Sequence, residues 1–161
     1  MNKTMFFVLL VVLSVLVTGI YPAMAKPPLP EDVVIVPPET GIAAARFSGF
    51  WEGRWIRNYE TKQYPEGEIR VAVERVTEKE MDIVYSRGAW EQIKENYQRI
   101  KGGTVERIEI SGKTYILATF KLNKEMKLTL RMENGASTIY AEFINEKNQK
   151  SSVFAILSRE K

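Results

Sequence analysis

No cysteine and no histidine occur among the 161 residues. Without a thiol there is no disulfide to staple the fold, no lipidation cysteine and no thiolate nucleophile. Without an imidazole, Ser-His-Asp and Cys-His pairs are excluded, and with both types missing so is the usual zinc or copper ligand set. Neither a metal nor a cofactor is expected. A serine activated by lysine would survive these absences, but Ser111 with Lys113 and Ser151 with Lys150 fall in turn-like stretches where water keeps the amine protonated. A glycosidase needs only two carboxylates. The glutamates here alternate with apolar residues or fall in turns, which puts them on the solvent face, and Glu52, opposite in parity to Trp51 and Trp55, is typical. The chain reads as non-catalytic, with a carboxylate-dependent carbohydrate-active enzyme as the remaining enzymatic alternative.

A strong charge of either sign is also missing. The net charge is +3, and removal of an N-terminal segment containing Lys3 would lower it by one. So small an excess gives weak steering and does not mark a nucleic-acid partner. Long apolar runs are confined to one place, Phe6 to Ile20, behind Lys3 and ahead of Ala23-Met24-Ala25. That is the layout of a signal peptide over residues 1–25, so the chain is expected to be exported to a periplasmic or extracellular location and not to be an integral membrane protein after cleavage. An uncleaved N-terminal anchor is the alternative, since the run is only slightly short of a bilayer span.

Proline is scarce except in residues 26–40, KPPLPEDVVIVPPET, which hold five of the seven. Proline cannot donate to a sheet ladder, so this stretch reads as an extended tether with at most an edge-strand contact. The folded domain is expected over residues 41–161, with GIAAARF supplying a helical turn before the first strand.

What the chain does have is a succession of strand-like runs divided by turn signals. They are Gly49 to Glu60, Gly67 to Thr77, Glu80 to Arg87, Thr104 to Ile110, Lys113 to Leu122, Met126 to Glu133, Ala136 to Asn145 and Ser151 to Arg159. In the sixth, Met126, Leu128, Leu130 and Met132 take one face and Lys127, Thr129, Arg131 and Glu133 the other, so one side is core and one is water. Glu133-Asn-Gly-Ala136 then suggests a two-residue hairpin into the seventh. The fifth and eighth, TYILATF and SVFAIL, are apolar on both faces and should be covered outside or lie beside the turn and tether. Between the third and fourth, Trp90, Ile93, Tyr97 and Ile100 fall at helix-like spacing within Ala89 to Gly103, which predicts a short helix or a long loop. The expected fold class is all-β, a compact eight-stranded antiparallel up-and-down barrel with that insertion over one mouth.

The stretch SGFWEGRW, Ser48 to Trp55, carries a further likeness. A G-x-W first strand after a short turn, seven more strands and an arginine near the end of the last resemble the calycin superfamily, whose best-known members are lipocalins. GFWEGRW followed by VERV and VYSRG is similar to small exported bacterial lipocalin-like domains. The resemblance implies a tryptophan closing the base of the barrel under a basic residue of the last strand. The matching positions are Gly53 and Trp55, or Gly49 and Trp51, with Arg159 as the cation. Physical reasoning agrees: Trp51 and Trp55 share a strand face, Gly53 between them relieves crowding of the rings, and a guanidinium on an indole gains about 0.5 to 2 kcal/mol. The domain is shorter than most lipocalins and lacks their disulfides.

A polar-aromatic group surrounds the insertion, where Tyr85, Arg87, Trp90 and Tyr97 are the candidate ligand-binding residues, with Lys94, Arg99 and Lys101 nearby. The expected function is non-catalytic binding of a small apolar or amphipathic ligand at that mouth. The alternative is a structural module with a solid barrel that docks a cell-envelope protein or glycan, which predicts an exposed apolar patch near strands five and eight.

Overall fold

The computed structural model describes residues 26–57, 67–87, 97–147 and 153–161. A 3-10 turn, Ala43–Phe47, comes first, as the sequence suggests. The strands are β1 Gly49–Arg57, β2 Glu68–Val76, β3 Glu80–Arg87, β4 Tyr97–Ile110, β5 Lys113–Lys121, β6 Met126–Glu133, β7 Thr138–Asn145 and β8 Val153–Arg159. Each pairs antiparallel with the next, and β1 pairs with β8 to close an eight-stranded up-and-down barrel.

Alternating side chains fill the interior. One ring of cross-strand partners runs Val105, Ala118, Leu130, Ala141, Ala155, Trp55, so three alanines make room in the row that ends at the indole. Small residues opposite large ones let a narrow barrel be filled. Two glycines serve the same end by close approach. A Cβ on Gly53 would lie 2.3 Å from the Ile156 carbonyl oxygen, and one on Gly103 would lie 2.2 Å from Cε1 of the fully buried Phe120. Gly53, expected to spare the two tryptophan rings, spares the backbone of β8 instead.

The region before β4 differs from its sequence pattern. Residues 88–96 lie outside the described ones, but Tyr97 to Gly103 belong to β4 and not to a helix or loop. The pattern is broken by a bulge: Met81 pairs with Gly103 and Ile83 with Ile100, so Asp82 faces an extra residue. Gly102 takes φ +70 there and its N–H donates to Asp82 Oδ1 at 2.8 Å, while Asp82 Oδ2 accepts from Arg75 Nε at 2.7 Å. The extra residue shifts the alternation by one, so the inward row of Gly103 and Val105 continues before the bulge through Ile100 and Gln98 and not through Tyr97.

One hairpin keeps its expected ends and another departs from expectation. Ser111 and Gly112 both have positive φ and join Ile110 to Lys113, the two-residue turn that suits strand twist. At Glu133 to Ala136 only Gly135 has positive φ, the Ala136 N–H donates to the Glu133 carbonyl, and β7 starts later, at Thr138. Asn134 stays in the ordinary region, so the tight hairpin does not form.

Residues 26–40 run along the barrel wall. The Val36 N–H donates to the Glu74 carbonyl at 2.7 Å, Arg99 joins Asp32 at 2.9 Å and Glu74 at 3.1 Å, and Arg70 Nη1 donates to the buried Pro27 carbonyl at 3.0 Å. Arg70 also chelates Glu160, whose other contact is Lys26 Nζ at 3.2 Å. With the Lys26–Glu52 ion pair at 2.6 Å, these contacts engage β1, β2, β4 and the chain just after β8. They leave the outer face of β8 open, and Ile156 is 43% exposed instead of covered.

Candidate functional site

The up-and-down order sorts the connections to two ends. The β1–β2, β3–β4, β5–β6 and β7–β8 connections share one end, the mouth; the 3-10 turn and the β2–β3, β4–β5 and β6–β7 connections share the other. The two tryptophans divide between them. Trp51 lies toward the closed end, where its indole N–H donates to the Phe47 carbonyl at 2.7 Å and the Arg159 guanidinium sits 4.7 Å from its ring centroid. Arg159 in turn donates to the Ser48 carbonyl at 2.9 Å and the Arg46 carbonyl at 2.8 Å, tying the last strand to the plug. Gly49, at φ +114, is where a Cβ would meet Arg159 Nη1 at 2.8 Å. Of the two sequence alternatives, it is Gly49 and Trp51 that partner Arg159.

Trp55 belongs to the mouth half. Its ring lies 4.8 Å from that of Phe143, and Phe143 meets the Tyr85 ring edge-on at 5.6 Å. The Arg87 guanidinium lies 4.4 Å from the Phe143 centroid and 5.6 Å from that of Tyr85. Arg87 Nη2 donates to the Tyr85 hydroxyl at 3.2 Å, and that hydroxyl donates to Gln98 Oε1. The cluster is thus three aromatic rings, a cation and an amide at the mouth end of β1, β3, β4 and β7. Trp55 is only 5% exposed, yet its indole N–H has no hydrogen-bond partner among the described residues. A buried donor left unpaired costs about 1 to 3 kcal/mol, so the site presents one unmet hydrogen bond inside an apolar surround.

Of the residues singled out in the sequence, Tyr85 and Arg87 meet here, and Trp90 lies outside the described residues. Tyr97 pairs with Ser86, one step out of phase with the Tyr85–Gln98 pair, and is 46% exposed on the wall. Tyr97 was expected at the ligand-binding mouth; the bulged strand puts Gln98 beside Tyr85 there. Phe143 was missed, although Ile139, Ala141 and Phe143 alternate inward along β7 and its place near the strand's mouth end follows from that alternation.

Asp82 is the one buried carboxylate among the described residues, and it is committed to the bulge. Burial alone would raise its carboxyl, but the Arg75 hydrogen bond and the Gly102 N–H outweigh burial and hold it below the ordinary aspartate value. Among the described residues no group of three or more acidic side chains converges to hold a metal ion. No family model, curated protein or solved structure matches the chain. The closed eight-stranded antiparallel barrel is consistent with a lipocalin-like fold.

Proposed function

We propose that this domain is a non-catalytic binding protein that takes a small apolar or amphipathic ligand at the mouth of its barrel, in an exported, periplasmic or extracellular setting. The observation that carries the reading is the Trp55 N–H, without a partner among the described residues and buried beside Phe143 within the Tyr85, Arg87 and Gln98 cluster. A structural core satisfies its indole donors, as the closed end does for Trp51. A ligand with an aromatic or aliphatic body and one acceptor oxygen would satisfy the donor and replace water against the rings. Arg87, stacked on Phe143 and reaching Tyr85, favours an acceptor that carries negative charge.

The test uses the protein purified from its own envelope, with native mass spectrometry to detect a co-purifying small molecule. In parallel, ligand-free protein is titrated with 1-anilinonaphthalene-8-sulfonate, an aromatic anion, while the Trp55 indole N–H resonance is followed. Saturable movement of that resonance, absent from the Trp51 indole, is expected. An unmoved Trp55 signal together with no co-purifying molecule would remove the proposal.

A further inference from the structure

On the outer wall, away from the mouth cluster, Arg131 of β6 is held between two tyrosines. Its guanidinium lies 5.4 Å from the Tyr115 centroid on β5 and 5.5 Å from the Tyr140 centroid on β7. Four other cations of the outer surface are matched with carboxylates: Lys113 with Glu133 at 3.0 Å, Lys127 with Glu146 at 3.5 Å, Arg54 with Glu68 at 3.6 Å and Lys147 with Glu125. Arg131 has no ion pair and donates no hydrogen bond among the described residues, and its Nε is buried without a partner. Glu142 shares the face, opposite Thr129 and two residues beyond Tyr140, but makes no ion pair with it.

The surroundings continue as an apolar strip. Register sets Leu117, Arg131, Tyr140 and Ile156 side by side across β5 to β8, and Phe154 beside Ile56 on the same outer face. Tyr140, Ile156 and Ile56 are all exposed. The two rings shelter Nε and leave the terminal Nη pair, a planar fork that matches a carboxylate end-on. A bare anion would meet the fork and leave the strip in water; an apolar chain bearing a carboxylate meets both.

We infer that this wall is a docking site for a carboxylate presented on an apolar segment of a partner protein, with the Tyr115–Arg131–Tyr140 sandwich as its anchor. The site goes beyond the mouth reading and is independent of it, because the two lie on opposite sides of the barrel wall.

The experiment is a nitrogen–proton NMR titration of the folded protein, reading the Arg131 Nε–H and the backbone amides of Tyr140 and Ile156. N-acetyl-phenylalanine is the probe, its carboxamide and inorganic phosphate are controls, and phosphatidylglycerol vesicles form a separate arm. Saturable shifts of all three signals are expected with the free acid, with binding about tenfold weaker for the carboxamide and for Arg131→Lys, which keeps the charge and loses the fork. Equal response to acid and carboxamide overturns the inference. So does a phosphate response confined to Arg131, which marks a bare anion site, and so does binding to vesicles only. Movement of Trp55 in place of these signals would reassign the probe to the mouth. Should Arg131→Lys fail to fold, Ile156→Ser carries the test, since it removes strip and not anchor and is expected to weaken the acid about threefold or more while the Arg131 signal still moves; a variant that binds the acid as the parent does counts against the strip.

Discussion

Replacing Gly103 by alanine asks the barrel to accept one methyl group where it has no room. In an ordinary strand that change stabilises by about 0.5 to 1 kcal/mol, since alanine has less backbone freedom to lose. Gly103 does not have positive φ, so its backbone raises no objection. The new carbon would stand 2.2 Å from Cε1 and 2.3 Å from Cδ1 of Phe120, where contact between carbons needs roughly 3.5 Å. The ring must retreat by more than an ångström, and it is wholly buried with Leu128 as its cross-strand neighbour. Overpacking of this kind costs about 1 to 3 kcal/mol, which outweighs the backbone gain and leaves a net loss of about 1 to 2 kcal/mol. Urea unfolding followed by far-ultraviolet dichroism reads the difference. Phe120→Leu shortens the ring's reach, so the double variant should recover at least about 1 kcal/mol relative to additivity. Gly103→Ala as stable as the parent, with no coupling to Phe120, would refute the close approach on which the reasoning rests.

Three further outcomes are expected. Arg159→Ala should destabilise by about 1 to 2 kcal/mol and shift the Trp51 emission, because it removes the ring contact and two bonds to the plug backbone; a silent variant would detach Arg159 from closure. Trp51→Phe, which strands the Phe47 carbonyl, should cost more than Trp55→Phe, which deletes an unpaired donor; equal losses by thermal unfolding would mean that Trp55 has a partner. Asp82 is held below its ordinary value in the fold, so its contribution is complete above about pH 3.9 and fades as pH falls toward the lowered value. The stability gap between the parent and Asp82→Asn should therefore narrow below about pH 4, and a gap constant down to pH 2 would contradict the Arg75 and Gly102 contacts.

The number of strands was legible because alternation of the kind seen in β6 is a local property of the chain. The closing pair was half legible: the arginine and a tryptophan could be named, but the choice of Trp51 depends on Arg159 standing across from it in the β1–β8 register. Tyr85 and Arg87 were found from composition, whereas Gln98 was hidden by the extra residue at the Gly102 bulge, which puts Gln98 and not Tyr97 in phase with the inward row. Gly53 was read as sparing neighbours along its own strand, when the constraint comes from β8, far along the sequence. Local pattern gave the elements; distances across the barrel decided what each glycine and tryptophan is for.

The seam between β1 and β8 also sets an order of events. Trp51 cannot find Arg159 until almost the whole domain has been made, so a chain emerging N-terminus first holds an unclosed sheet with β1 unpaired on one side. Closure then depends on a contact of long sequence separation, which in barrels of this kind takes on the order of milliseconds to seconds. A chain that cannot lock before its last strand appears stays threadable while it is being synthesised, and the strand that completes the wall also delivers the arginine that seals its base.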